Sequence, residues 1–396
     1  MGAAGLVPAC AGVTDAFSAE PNKPPAPKKA EEPQFPQVPK RKLGKTNVEV
    51  SCLALGTMFD LVANQIVLNK CVQWGVTYWD TAAGYSGGKS EQGIGKFLEK
   101  NPQVREQLFI VTKASGAKTM DEVEQRLQTS LKRMNTSYID LFYGVHILSD
   151  PAQMTEELRQ WAESAKKRKL IRFFGFSTHS NMAECLLAAA KQPWIDGILT
   201  RYSFRNLQDA KMQDAVEACH KAGIGLTAMK TQGKQIETAE DKKLTDHFLQ
   251  QGLTEGQAKI KVVLEDKRFS SAAVRMQNVA LLTTDVAAVL DKAKLSQADR
   301  RVLAEYARQT CSGYCAGCAA ICDKALPDMP YVSEIMRYLM YCNSYGERDM
   351  ARELFATIPQ RVRSKLLSTD YSAAEAQCPQ GLAIAELVAE AVNKLA

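Results

Sequence analysis

Asp80, Tyr85, Lys113 and His146 are the residues in this sequence whose types suit proton chemistry. A tyrosine hydroxyl has an ordinary pKa of about 10 and is a poor acid near neutrality. A neighbouring ammonium lowers that value, and a buried carboxylate holds the ammonium in place. An imidazole can orient a carbonyl oxygen or pass a proton on. Together the four would protonate a carbonyl oxygen as a hydride reaches its carbon. A lone Lys or His is usually just solvated or packed, so the case rests on all four converging.

A second group of chemical residues is CSGYCAGCAAIC, Cys311–Cys322, which holds four of the chain's eleven cysteines. A disulfide set would need an oxidising compartment. Zinc is an alternative, because four-cysteine zinc sites are common. The close spacing also resembles the ferredoxin run C-x2-C-x2-C-x3-C-P. Further on, AQCPQGLAIAELVAEA (376–391) places a Cys-Pro ahead of a helical pattern, as a remote ligand would be. This resemblance implies one [4Fe–4S] cluster on Cys311, Cys315, Cys318 and Cys378, with Cys322 as the alternative fourth ligand. Two features depart from the pattern: the first spacing is three residues, and Asp323 stands where Pro is usual. Cys71, Cys185 and Cys219 fall on helical patterns and read as core thiols, and Cys10, Cys52 and Cys342 as incidental ones.

The elements that must position these groups follow from periodicity. Eight short β-rich runs alternate with amphipathic stretches: 52–57, 76–82, 108–114, 138–146, 171–177, 197–204, 223–230 and 270–276. Between them, MDEVEQRLQTSLKRM (120–134) repeats apolar residues at helical spacing. Eight strand–helix units predict an α/β fold, a (β/α)8 TIM barrel of parallel strands. RKLGKTNVEVS (41–51) predicts a hairpin plugging the barrel bottom. In such barrels chemistry gathers at the C-terminal strand ends. Asp80 ends strand two, Lys113 strand three and His146 strand four, with Tyr85 just past strand two.

Here the sequence resembles the aldo-keto reductase family. WDTAAGYSGGKSEQGIGKFL (79–98), FIVTKAS (109–115) and YIDLFYGVH (138–146) are similar to its strand-two, lysine and histidine motifs. The resemblance implies Tyr85 as proton donor, Asp80 and Lys113 as its tuning pair, and His146 as substrate orienter. It further implies NADPH or NADH as cofactor and a small carbonyl compound as substrate. GFSTHS (175–180) is similar to the strand-five segment that holds the nicotinamide amide, so Ser177 is a candidate contact. Thr178 and His179 stand where an Asn is usual. LTAMKTQGK (226–234) resembles the strand-seven loop, which nominates Met229, Lys230 and Gly233. The strand-eight loop, AVRMQNVALL (273–282), lacks the family's glycine turn, and Arg275 is its candidate phosphate ligand.

Three segments follow from this reading. Residues 1–40 form a Pro/Lys-rich tether or signal remnant, 41–295 the barrel, and 296–396 a small, mostly helical, Cys-rich extension like that of some aldo-keto reductases. In the extension, 296–309 reads as a helix and 331–358 as two more. Net charge is +6, from 50 basic and 44 acidic residues. That is too mild and too dispersed for a nucleic-acid surface. The basic run KKRKLIR (166–172) reads as a solvated helix end entering a strand. No apolar run approaches the roughly 20 residues of a transmembrane helix. As written, the chain lacks a complete targeting signal and reads as cytoplasmic. A start further upstream carrying a twin-arginine signal would make it periplasmic. The second functional reading is a non-catalytic iron–sulfur protein passing electrons to a protein partner, with the barrel as scaffold.

Overall fold

The computed structural model describes residues 1–2, 35–232 and 239–396. The chain divides into Met1–Phe35 and Pro36–Ala396, and the fold is that of the second unit. Its strands are β1 (Lys40–Lys42), β2 (Glu49–Ser51), β3 (Leu53–Gly56), β4 (Tyr78–Asp80), β5 (Phe109–Lys113), β6 (Ile139–His146), β7 (Ile171–Thr178), β8 (Gly197–Arg201), β9 (Gly225–Met229) and β10 (Phe269–Val274). Strands β3 to β10 pair in parallel and close into an eight-stranded barrel, β10 joining both β9 and β3. Every one of the eight strands expected from the sequence is present.

Burial on both faces explains why these strands are almost continuously apolar. Inside the barrel, Leu43, Val50, Tyr78, Phe109, Leu141, Tyr143 and Leu199 form one apolar cluster. Leu43 and Val50 come from the antiparallel β1–β2 pair, so the hairpin plugs the barrel bottom as anticipated. Outside the strands, a larger cluster packs against the surrounding helices. The helix Met120–Arg133 illustrates how the sequence builds that layer. Thr119 and Glu122 form a capping box, while Val123, Leu127 and Leu131 turn inward. The cap contributes about 1 kcal/mol. The basic run lies where expected, between the end of helix Glu156–Lys167 and the start of β7.

Beyond the barrel the chain is helical. Gln297–Gln309, capped by Ser296, packs on the barrel through Leu303 and Tyr306. The helices Val332–Tyr345, Arg348–Ala356 and Ile384–Leu395 then build a separate core around Ile335, Leu339, Phe355, Ile384 and Val388. The two helices expected within 331–358 are both there. Among the described residues, no helix is long and apolar enough to cross a membrane.

Candidate active site at the barrel mouth

Parallel pairing brings the ends of β4, β5 and β6 side by side. Asp80 lies opposite Val111, Lys113 opposite Tyr143, and His146 opposite Ser177. Lys113 Nζ is 2.9 Å from each carboxylate oxygen of Asp80, and it donates to the Thr81 carbonyl at 2.6 Å. The same ammonium lies 4.6 Å from the centroid of the Tyr85 ring. The Tyr85 and His146 rings meet edge to face, with centroids 6.0 Å apart. Ser115 Oγ is 2.9 Å from His146 Nδ1. All four residues expected to carry the proton chemistry are therefore brought together.

The loop bearing Tyr85 is fixed from below. Glu91 is fully buried, accepts from Thr112 Oγ1 at 2.7 Å, and pairs with Arg133. Arg133 also donates to the Ala83 carbonyl at 2.8 Å. Gly88 has φ of 92°, and a Cβ there would lie 2.6 Å from the Arg133 guanidinium carbon. Only glycine suits a left-handed residue so close to that clamp.

Desolvation sets the electrostatics. It pushes the Asp80 carboxyl above its ordinary value and the Lys113 ammonium below, while each charge pulls the other back. The Tyr85 phenol is driven well above its usual value, first by burial and then by Asp80 and Tyr341. The lowering expected from Lys113 is not seen, so the phenol holds its proton. His146 is held well below the ordinary imidazole value by burial, Lys113 and Arg337. It is a neutral ring, with Nδ1 engaged by Ser115.

The opposite side of the mouth is built differently. The C-terminal extension lies across the ends of β7 to β10. Arg201 donates to the Cys315 carbonyl, and its guanidinium lies 4.7 Å from the Tyr314 ring centroid. Lys230 Nζ sits 4.2 Å and 4.7 Å from the Tyr345 and Tyr341 ring centroids. Burial and the surrounding cations Arg201, Arg337, Arg275 and Lys113 push Lys230 down to about 7. Arg275 pairs with Glu347 and donates to the Tyr345 carbonyl at 3.2 Å. Asn181 N–H donates to the Gly317 carbonyl at 2.8 Å, and a Cβ on Gly317 would meet the His179 carbonyl at 2.4 Å. The extension approaches as closely as two backbones can.

Between the two sides lies a cavity of about 750 Å³. Asp80, Tyr85, His146, His179, Met229, Lys230 and Arg275 line it from the barrel, and Arg337, Tyr341 and Tyr345 from the extension. A second cavity of about 720 Å³ shares the wall formed by His179, Lys230, Arg337 and Tyr345. Of the expected cofactor contacts, Met229, Lys230 and Arg275 face the first cavity. Ser177 does not line it. Ser177 is fully buried, and its hydroxyl accepts from the Ile147 N–H at 3.2 Å. Gly233 lies outside the described residues, as does Cys10. Sequence reasoning missed Arg337, Tyr341, Tyr345 and Glu347. The i, i+4 spacing of Arg337, Tyr341 and Tyr345 from Ser333 onward was visible, but not what that stripe would face.

The cysteines separate into two places. The thiols of Cys315, Cys318 and Cys322 are each raised by burial and by neighbouring thiols, Cys378 among them. Burial, with the neighbouring thiols adding, raises the Cys318 thiol to about 11 and Cys322 to about 12. Cys315 is raised as well, by burial first and with Cys378 adding. Cys311 opens a short turn at Cys311–Gly313 and acts on Arg205 and Arg308 instead. Among the described residues, no three His, Cys, Asp or Glu side chains are grouped so as to hold a single metal ion. Neither the zinc alternative nor the expected iron–sulfur cluster therefore has a preformed ligand group among those residues. Cys52, Cys71, Cys185 and Cys219 are buried free thiols, and Cys342 is half-buried.

The barrel, with this constellation at its mouth, defines an oxidoreductase architecture, and comparison with known proteins gives the class. The aldo/keto reductase family model matches residues 54–294, and the chain belongs to that family. It is 27% identical over 230 residues to "Aldo-keto reductase yakc [NADP(+)]" of Schizosaccharomyces pombe, covering 53% of this chain and 65% of that one. It is 30% identical over 158 residues to "Aldo-keto reductase" of Gibberella moniliformis, covering 38% of this chain and 46% of that one. Both matches therefore span less than two thirds of the relative. Among solved structures, the holo form of the aldo-keto reductase AKR11C1 from Bacillus halodurans superposes with a TM-score of 0.57 at 19% identity. That alignment covers 68% of this chain and 96% of the other, and it supports the fold.

Proposed function

We propose that this protein reduces an aldehyde or ketone with NAD(P)H, Tyr85 donating the proton. The observation that carries the reading is the tyrosine, imidazole and buried Lys113–Asp80 pair gathered at one cavity. The dinucleotide fits what the mouth offers. Arg275 Nε, His179 Nδ1 and Thr231 Oγ1 are buried without hydrogen-bond partners beside that cavity. Met229, Lys230, His179 and Thr231 would hold the reacting end, and Arg275 a phosphate. The bound nicotinamide supplies a hydride to the carbonyl carbon. Tyr85 gives its hydroxyl proton to the carbonyl oxygen. Lys113, beneath the ring, favours the phenolate that this leaves, and Asp80 keeps the lysine in place. His146, neutral and anchored by Ser115, turns its other ring nitrogen to the oxygen and orients it. The covering helices keep bulk water from the site.

The test is NADPH oxidation with a panel of aldehydes. Tyr85→Phe is expected to lower kcat by about 10²- to 10⁴-fold with NADPH affinity retained, the range typical of losing a general acid. Unchanged turnover would remove Tyr85 from the mechanism.

The extension is read as carrying a [4Fe–4S] cluster, structural or facing an electron-transfer partner. What supports this is the sequence pattern, a run of closely spaced cysteines with a remote Cys-Pro, whose thiols are free and half-buried. The expected ligands are Cys311, Cys315, Cys318 and Cys378, with Cys322 as the alternative fourth. Anaerobic purification with iron analysis tests it. About four irons, lost in Cys378→Ala and kept in Cys322→Ala, is the expected result. An iron-free wild type rules the cluster out, and loss in Cys322→Ala with retention in Cys378→Ala makes Cys322 the fourth ligand. The scaffold reading draws on a different observation, that Glu347, Tyr341 and Tyr345 already occupy Arg275 and Lys230. It predicts no nicotinamide binding at all.

A further inference from the structure

The helix Val332–Tyr345 is held over the mouth by a stripe of residues four apart. Ser333 Oγ is 3.0 Å from Ser180 Oγ at one end, and Tyr341 and Tyr345 stack on Lys230 at the other. Residues at this spacing share a helix face. Arg337 falls between these anchors, so its side chain must enter the mouth, and it lines both cavities.

What it finds there is no counter-charge. Arg337 Nε and Nη1 are buried without a hydrogen-bond partner. Its Nη2 makes one long contact, 3.5 Å, with the Tyr338 hydroxyl. Among the described residues it forms no salt bridge. The nearby carboxylates are spoken for: Asp80 by Lys113, and Glu347 by Arg275. Glu353, at the exposed rim of the same cavity, does not reach it. The other titratable groups beside it are the imidazoles of His146 and His179, the Lys230 ammonium and the phenols of Tyr338 and Tyr341. Guanidinium groups keep their charge on burial, and a buried charge without a partner is strongly disfavoured. The missing partner is an anion.

We infer that Arg337 is a substrate-binding residue contributed by the extension, and that the substrate is a short oxo-acid whose carboxylate it holds while the carbonyl meets Tyr85. The inference rests on the reductase reading above. Position favours a substrate carboxylate over a dinucleotide phosphate. Arg337 acts on His146, whose ring meets Tyr85 at the proton-donor end of the cavity, whereas Arg275 stands at the end of the eighth barrel strand.

The test uses the full chain with succinic semialdehyde and butanal as a charged and a neutral aldehyde of equal length. Succinate binding, by calorimetry with NADPH present, is the second readout. Arg337→Met keeps a good helix former and removes the charge. It is expected to lower kcat/KM for succinic semialdehyde, and succinate affinity, by about 10- to 100-fold, as losing a charge-assisted hydrogen bond does. Butanal turnover should fall by much less, because a neutral aldehyde offers Arg337 no carboxylate, so the ratio of the two kcat/KM values is the readout. Arg337→Lys should recover part of the loss. A loss of NADPH affinity instead, or an equal fall for both aldehydes, overturns the assignment. If the wild type reduces no carbonyl yet binds succinate through Arg337, the reductase reading fails and the anion site stands. If aldehydes are reduced but succinate binding ignores Arg337, the anion site fails alone.

Discussion

The two sides of the barrel mouth are built on opposite plans. On the β4–β6 side, Asp80, Tyr85, Lys113 and His146 reach one another through barrel residues only. On the β7–β10 side, Arg201, Lys230 and Arg275 are each engaged by residues that lie far along the chain, in the extension. The first side is pre-organised by strand register, which the closed barrel enforces. The second depends on how a separately cored set of helices docks. The proton machinery should therefore keep its geometry without the extension, which bears on it only through the charges and burial that Tyr341 and Arg337 add, whereas dinucleotide access should be governed by it.

The largest expected effect breaks the first side from within. Lys113→Met leaves the buried Asp80 carboxylate without its counter-charge. Removing one member of a buried pair costs about 3–5 kcal/mol, so urea unfolding should show a lower midpoint. Lys113→Met combined with Asp80→Leu should recover much of that loss, because no isolated charge then remains. A single variant as stable as wild type would show that the pair is already neutral in the fold.

A smaller effect sharpens the second side through pH. Burial and nearby cations hold Lys230 down to about 7. An anionic dinucleotide beside it favours the ammonium and raises that value. Affinity is therefore at its fullest below about pH 7 and is lost as pH rises from there toward the higher value of the complex. The 2′-phosphate of NADPH also titrates, so NADH is the better probe. Its dissociation constant should weaken between pH 6.5 and pH 8.5, by about tenfold at most per unit. The slope should vanish in Lys230→Met. An identical slope in that variant would place the titration elsewhere.

The same contrast explains what could be read from the sequence. Asp80, Lys113 and His146 were legible because each ends an apolar run, and a closed parallel barrel leaves such ends one place to converge. The plug formed by Leu43 and Val50 was legible for a similar reason, since a short hairpin ahead of the first strand has the barrel bottom to fill. Arg337 was not. Its helix is plain from periodicity, but a polar residue on an amphipathic helix reads as solvent-facing until the docking partner is known. Ser177 is a different case. Its place on β7 was right, yet its hydroxyl is used by Ile147 at the turn after β6, a local bond that no residue pattern announces. The altered strand-eight loop was informative in hindsight, for Arg275 without a glycine turn answers to Glu347 rather than to backbone cradling.

That last pair gives the smallest and most discriminating test. Arg275 and Glu347 are each about a quarter exposed, at 25% of their side-chain surface. A pair of this kind contributes at most about 1 kcal/mol to stability, so Glu347→Gln should unfold close to wild type. Its consequence lies in binding. A phosphate reaching Arg275 must displace the Glu347 carboxylate, and the glutamine amide competes far less well for a guanidinium. NADPH affinity should thus rise by about threefold to fivefold, the equilibrium equivalent of somewhat under 1 kcal/mol, with no change in the Tyr85-dependent step. Arg275→Met should lower the affinity and erase the gain. If Glu347→Gln leaves NADPH binding unchanged while Arg275→Met weakens it, the carboxylate and the phosphate occupy different edges of the guanidinium. The extension would then support the cofactor side instead of competing for it.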